Sequence, residues 1–181
     1  MSRSEAVAED SPRAFVVRPA TPRDARTFLD LYRVVAEEGR FIRTDDPRRD
    51  VGHYRRVFRR AVSAERASYV AVDGDRVIGS LSVDRAEHPV TRHVASIGMM
   101  VAPSWRGRGV GSALMEAAIA WGRQAGVEKL ELAVYPDNDA AHALYAKFGF
   151  REEGRLSGHS KKRVGYRDEV LMGLWLSEEP S

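Results

Sequence analysis

Residues 97–112 read Ile97-Gly98-Met99-Met100-Val101-Ala102-Pro103-Ser104-Trp105, then Arg106-Gly107-Arg108-Gly109-Val110-Gly111-Ser112, and an amphipathic stretch over 113–121 follows at once. The order predicts a strand, a glycine turn and a helix. Glycine has no Cβ, so three of them at alternate positions let the backbone turn tightly and leave its N–H groups bare. Successive amides of this kind, with a helix N-terminus behind them, attract an anion. Arg106 and Arg108 add formal positive charge. The segment reads as a cradle for a diphosphate.

Three phosphate-binding loops share this outline. A nucleotide-triphosphatase loop needs Lys and then Ser or Thr after its last glycine; here Gly111 is followed by Ser112-Ala113, which excludes it. The dinucleotide pattern Gly-x-Gly-x-x-Gly, begun at Gly107, puts its third glycine on Ser112. Glu128 and Glu131 lie near where its ribose-binding acid belongs, so a nucleotide-dependent oxidoreductase stays open on the loop alone. A third pattern, Arg/Gln-x-x-Gly-x-Gly/Ala, is satisfied by Arg106, Gly109 and Gly111.

A second segment decides between them. Residues 129–135 predict a strand and Pro136-Asp137 a turn. Residues 138–148 then predict a short helix, capped by Asp137 or Asn138 and ended by Gly149. Ala141, Leu144, Tyr145 and Phe148 fall on one face of that helix. Asn138, Ala141, Leu144, Tyr145, Gly149 and Phe150 spell Asn-x-x-Ala-x-x-Leu-Tyr-x-x-x-Gly-Phe. With both motifs in order, the chain resembles the GNAT superfamily of acetyl-CoA-dependent N-acetyltransferases over residues 14–176.

The resemblance implies a single-domain α/β fold: a mixed, mostly antiparallel twisted sheet of about six to seven strands flanked by about four helices. A splayed strand pair in that sheet would bind acyl-CoA. It implies that Met99, Met100 and Val101 offer backbone contacts to the pantetheine arm. Arg106, Gly107, Arg108, Gly109, Val110, Gly111 and Ser112 would hold the diphosphate, and Asn138 would hydrogen-bond along the arm. Tyr145 would protonate the departing thiolate; a thiol pKa of about 8.5 and a phenol pKa of about 10 are close enough for that. Several family members place a glutamate where this chain has Ala133. Glu131, two positions earlier on the same strand face, is the catalytic base candidate here, with His93, Ser96 or a water chain as alternatives. Without cysteine, no covalent acetyl-cysteine forms, so transfer is direct.

For the acceptor, Glu38 at the end of the first helix and Asp168 in Tyr166-Arg167-Asp168-Glu169 are the substrate-binding candidates. The latter stretch resembles that of GNAT members acting on small amines and amino acids. Arg40 and Arg43 are placed to recognise a carboxylate. The expected acceptor is a primary amine of a small molecule: an amino acid, a polyamine or an amine antibiotic. A protein N-terminus or lysine is the alternative, and a non-catalytic acyl-CoA-binding module is the rival from another class.

Composition fits this reading. A chain of 181 residues suits one domain, and 29 Lys and Arg against 26 Asp and Glu suit an anionic ligand. No apolar run approaches the roughly 20 residues of a membrane span, and no signal-peptide pattern opens the chain, so a cytoplasmic protein without a membrane partner is expected. The five histidines lack metal-ligand spacing, and no metal site is expected. The arginines of a helix predicted over 46–64 sit on its solvated face, so no nucleic-acid partner is expected. A homodimer is compatible with the fold. Residues 1–13 read as a loose segment, 14–176 as the domain and 177–181 as a tail. Other predicted strands lie at 14–18, 68–73, 76–85, 93–101, 150–156 and 166–176. A first helix runs from Thr21-Pro22 to about Glu38.

Overall fold

Side-chain alternation along each strand sorts residues into two apolar layers, and the computed structural model, described over residues 15–43, 49–162 and 165–178, packs helices on both. The strands are β1 (Val16–Pro19), β2 (Arg66–Asp73), β3 (Arg76–Arg85), β4 (Val94–Val101), β5 (Lys129–Val134), β6 (Arg151–Lys162) and β7 (Gly165–Trp175). The helices are α1 (Ala25–Glu37), α2 (Val51–Phe58), α3 (Val110–Gln124) and α4 (Asp139–Lys147). One seven-stranded sheet has the order β1-β2-β3-β4-β5-β7-β6. Every neighbouring pair is antiparallel except β4 with β5.

On one face, Leu81, Val83, Ala95, Leu130, Leu132 and Met172 meet Leu114, Met115, Ala118 and Trp121 of α3. Each buried Leu, Val or Met among them is worth about 1.5–3 kcal/mol against an exposed side chain. On the other face, Val70, Val72 and Val77 meet Phe28, Leu31 and Val35 of α1 and Phe58 of α2. These two helices cover the β1–β3 side. Over β4 and β5 the same face is left open, and there the period of two turns Ser96, Gly98, Glu131 and Ala133 outward into a cleft. Gly79 lets α3 come close to the sheet: a Cβ there would lie 2.7 Å from Val110 Cγ1 and 3.1 Å from Leu114 Cδ1.

Two elements differ from the sequence expectation. The helix expected over 46–64 is the shorter α2, because the Asp50 side chain accepts from His53 N–H at 2.7 Å and caps the helix there; residues 44–48 lie outside the described residues. The connection expected after residue 156 is strand instead. β6 continues to Lys162 and pairs Ser160 with Arg167 and Lys161 with Tyr166, absorbing a bulge after Leu156 in which Gly158 takes φ +58°.

Candidate active site

The site is built on a parting of two strands. β4 and β5 run side by side through three rungs, Val94–Lys129, Ala95–Leu130 and Ser96–Glu131. Beyond Ser96, β4 continues to Val101 paired with β3, while β5 continues to Val134 paired with β7. The inner edges of this fork carry backbone groups without ladder partners, and buried backbone groups need partners. Ala102 N–H donates to Ile78 O on the β3 side at 2.8 Å. Alternation therefore turns the backbone groups of Met99 and Val101 into the fork and those of Met100 toward β3. Val101 O accordingly accepts from Arg106 Nε at 3.3 Å. Of the three strand residues expected along the pantetheine arm, Met99 and Val101 have inward backbone groups and Met100 does not.

At the mouth of the fork the glycine loop opens α3. Gly107 and Gly109 have φ of +73° and +83°, and nothing lies within 4 Å of where a Cβ would stand at either. Left-handed glycines before a helix N-terminus, facing open space, fit a diphosphate. Gly111 has a different reason to be small, since its Cβ would lie 2.9 Å from Leu144 Cδ2 of α4. Ser112 lines the cleft, whereas Val110 is buried in the core and offers main chain alone. The Arg108 guanidinium lies over the Trp105 ring at 5.6 Å. Arg106 donates both arms of its fork to Glu38, at 2.9 and 2.5 Å. Glu38 is thus engaged by Arg106 of the glycine loop and does not line the cleft.

α4 and its cap supply another wall of the cleft. Asn138 Oδ1 accepts from Ala141 N–H at 3.3 Å, a helix cap that also fixes the side chain at the cleft wall. Tyr145 packs against Phe150 at 5.8 Å, and burial pushes its phenol up to about 12. The cleft lined by these groups encloses about 1630 Å³. That exceeds the ~300–1,000 Å³ of a pocket for one drug-sized ligand and leaves room for a donor and an acceptor.

Glu131 stands at the apex of the fork, where Ser96 Oγ donates to its Oε1 at 2.7 Å. His93, the other base candidate on this strand, stacks on Trp175 at 6.2 Å at the closed end of the sheet. Asp168 accepts from Gly158 N–H at 2.8 Å and Arg155 Nε at 3.0 Å, and these bonds hold its carboxyl below the usual range. It braces the β6 bulge and does not line the cleft. Its neighbour Glu169, on the opposite face of β7, does line it and is 2% exposed. Burial alone would raise the Glu169 carboxyl; hydrogen bonds from Arg43 and Ser160 outweigh that and hold it below the ordinary value.

Residues 39–43, after α1, form a strap over this end of the cleft. Arg43 Nε and Nη2 donate to Glu169 at 3.1 and 2.5 Å, and Lys162 Nζ donates to Ile42 O at 2.5 Å. Arg40 pairs with Asp137 at 3.6 Å, and Arg167 donates to Asp137 and to Arg40 O. Arg167 also lies 3.9 Å from the centre of the Tyr135 ring. Tyr135 is buried, and its hydroxyl has no hydrogen-bond partner among the described residues. Neither Glu169 nor Tyr135 was a sequence candidate. Strand alternation separates residue 168 from 169, but only the pairing of Val170 with Val134 tells which of them faces the cleft.

The acetyltransferase (GNAT) family model matches residues 28–150. The chain belongs to the GNAT family. It is 38% identical over 105 residues to the L-amino acid N-acetyltransferase AaaT of Escherichia coli, a match spanning 56% of this chain and 62% of that relative. It is 30% identical over 146 residues to the aminoglycoside N(6')-acetyltransferase type 1 of Stenotrophomonas maltophilia, spanning 77% and 88%. An acetyltransferase of Salmonella typhimurium solved with its cofactor acetyl-CoA shares the fold, with a TM-score of 0.83 at 19% identity over 93% of this chain and 97% of that one. Family and relatives make this GNAT protein an N-acetyltransferase. Among the described residues no helix is long and apolar enough to cross a membrane.

Proposed function

We propose that this GNAT enzyme transfers the acetyl group of acetyl-CoA directly to the primary amine of a small molecule, with Glu131 as general base and Tyr145 as general acid. The observation that carries the reading is the fork at Ser96–Glu131, with the glycine cradle at its mouth and Tyr145 on its α4 wall. The donor supplies an activated acetyl thioester. The core fills the α3 face, so the amine arrives from the α1–α2 face, where Glu131 lies. The amine nitrogen forms a bond to the carbonyl carbon, and its surplus proton passes to Glu131. The inward backbone N–H groups of Met99 and Val101 face the developing oxyanion without reorganising. As the carbon–sulfur bond breaks, the Tyr145 hydroxyl gives its proton to sulfur, and the proton held by Glu131 restores the phenol through solvent. Burial that raises the phenol also penalises a thiolate beside it, so both shifts run in the same direction and favour sulfur leaving as the neutral thiol.

Thiol release from acetyl-CoA across amino acids, polyamines and aminoglycosides tests this. Turnover with one class is expected, with kcat about 10²–10⁴-fold lower in Tyr145→Phe and coenzyme A affinity retained. Tight coenzyme A binding without release from any amine would leave a binding module. No coenzyme A binding at all would overturn the reading.

A further inference from the structure

We propose that Arg43 and the Tyr135 hydroxyl form a carboxylate subsite in the acceptor half of the cleft, so that the amine this enzyme acetylates also carries a carboxylate. The inference deepens the acetyl-transfer reading above and rests on it.

The first observation is an orphan. Tyr135 is 3% exposed, and its hydroxyl, a donor, lacks a partner among the described residues. Native proteins pair buried hydroxyls, and one left unpaired beside a cleft calls for a ligand. The second is a guanidinium held by one edge. Arg43 spends Nε and Nη2 on Glu169, which is buried and itself held by Ser160. Among the described residues Nη1 has no acceptor. The Arg43 side chain is 62% exposed, so its inner edge is anchored while its outer edge remains open. A planar fork fixed in this way suits a second carboxylate better than a flexible ammonium would. Tyr135 directly follows Val134, which pairs with Val170, so it sits level across β5 and β7 with Glu169, the carboxylate that holds the Arg43 head.

Charge balance selects the ligand. Among the described residues, Arg40, Arg43, Arg167 and Lys162 gather at this end of the cleft, and the carboxylates paired with the arginines are already claimed: Asp137 by Arg40 and Arg167, Glu169 by Arg43. A further anion is welcome there, and a second cation on the acceptor is not. Glu131 and Tyr135 are about 13 Å apart along the strand, part of it bridged by side chains, so the carboxylate need not sit on the carbon that bears the amine.

The experiment measures thiol release with matched acceptors: α- and ω-amino acids of increasing length, each beside its carboxamide and the amine lacking the carboxyl group. For at least one chain length the acid is expected to exceed its carboxamide in kcat/KM by more than about 10-fold. Tyr135→Phe and Arg43→Gln are expected to bring that ratio down toward one, chiefly through KM, with Arg43→Lys intermediate. Equal use of acid and carboxamide at every length, or a preference that survives both variants, overturns the subsite and leaves acetyl transfer standing. If no amine is turned over, titration of the free carboxylic acids lacking an amine into the acetyl-CoA-loaded protein still reads the subsite: binding lost in Arg43→Gln supports it, and no binding overturns it. Tyr135→Phe removes only an unpartnered hydroxyl, so its melting temperature should equal or exceed the parent's. A fall would show that the hydroxyl has a structural partner and would overturn the premise.

Discussion

The two halves of β4 differ in their neighbours rather than in their chemistry. Residues 94–96 are held by β3 or its extension on one side and β5 on the other; residues 97–101 are held by β3 alone. Both halves are largely apolar, so hydrophobicity does not distinguish them. What separates them is that β5 leaves for β7, and an interior strand acquires an edge. Exposed edges invite unwanted pairing, and proteins usually suppress them. Here the edge is enclosed in a cleft, and in the proposed reaction its backbone groups serve as the binding surface. The closed half carries the restraint that keeps the fork in shape. Beside it the Arg85 guanidinium donates to the carbonyls of Arg92, Ala64, Ala125 and Gly126, tying β3 to three other segments.

That division predicts separable losses. The largest belongs to the open half. Tyr145→Phe should lose about 10²–10⁴-fold in kcat while its urea midpoint barely moves, because the ring still packs on Phe150. Equal losses of activity and stability would show that the two halves are not independent. Next is Arg85→Met, which strands several carbonyls at once. It should cost about 2–4 kcal/mol by urea unfolding, with the coenzyme A affinity of the folded fraction unchanged. Gly79→Ala joins the halves, since its methyl pushes on Val110 and Leu114 at the start of α3. Overpacking there should cost about 1–3 kcal/mol and, unlike Arg85→Met, also weaken coenzyme A binding by tilting the cradle. Wild-type affinity in Gly79→Ala would mean the loop is positioned independently of the sheet.

Local features were the legible ones. The glycine loop, the Asn138 cap and the helix bearing Tyr145 sit where the sequence puts them, because glycine conformation and capping are decided within a few residues. Features that depend on pairing were not. The glycine- and lysine-rich run 157–165 reads as a connection, yet its alignment against β7, braced by Asp168 on Gly158 N–H, makes most of it strand. Asp168 and Glu169 are adjacent acids of similar character, and only β7's place between β5 and β6 sends the second into the cleft. Gly79 looks like a weak point in a strand until Val110 is seen against it. Arg106 read as a free cation for phosphate, but Glu38, distant in sequence, shares it.

The gentlest probe is acid, because two carboxylates pin different parts of the molecule. Asp24 accepts both arms of Arg18 at 2.8 Å and Thr21 N–H at 2.7 Å, tying β1 to the start of α1. Glu169 holds the strap over the open half through Arg43. In each, burial would raise the carboxyl, but the hydrogen bonds outweigh it and the folded value is lowered. A lowered folded value means the unfolded chain binds the proton more readily. The stabilisation is therefore complete above the unfolded pKa, about 3.9 for Asp and 4.3 for Glu, and is lost as pH falls through the folded value. The melting temperature should decline below about pH 4, and less steeply in Asp24→Asn and in Glu169→Gln than in the parent. The strap should respond to one of them alone. Protease sensitivity near residues 39–43 at neutral pH should rise in Glu169→Gln, which leaves Arg43 without its charged anchor, and stay at the parental level in Asp24→Asn. If both variants expose the strap equally, the open half is held by the scaffold as a whole and not by its own pins.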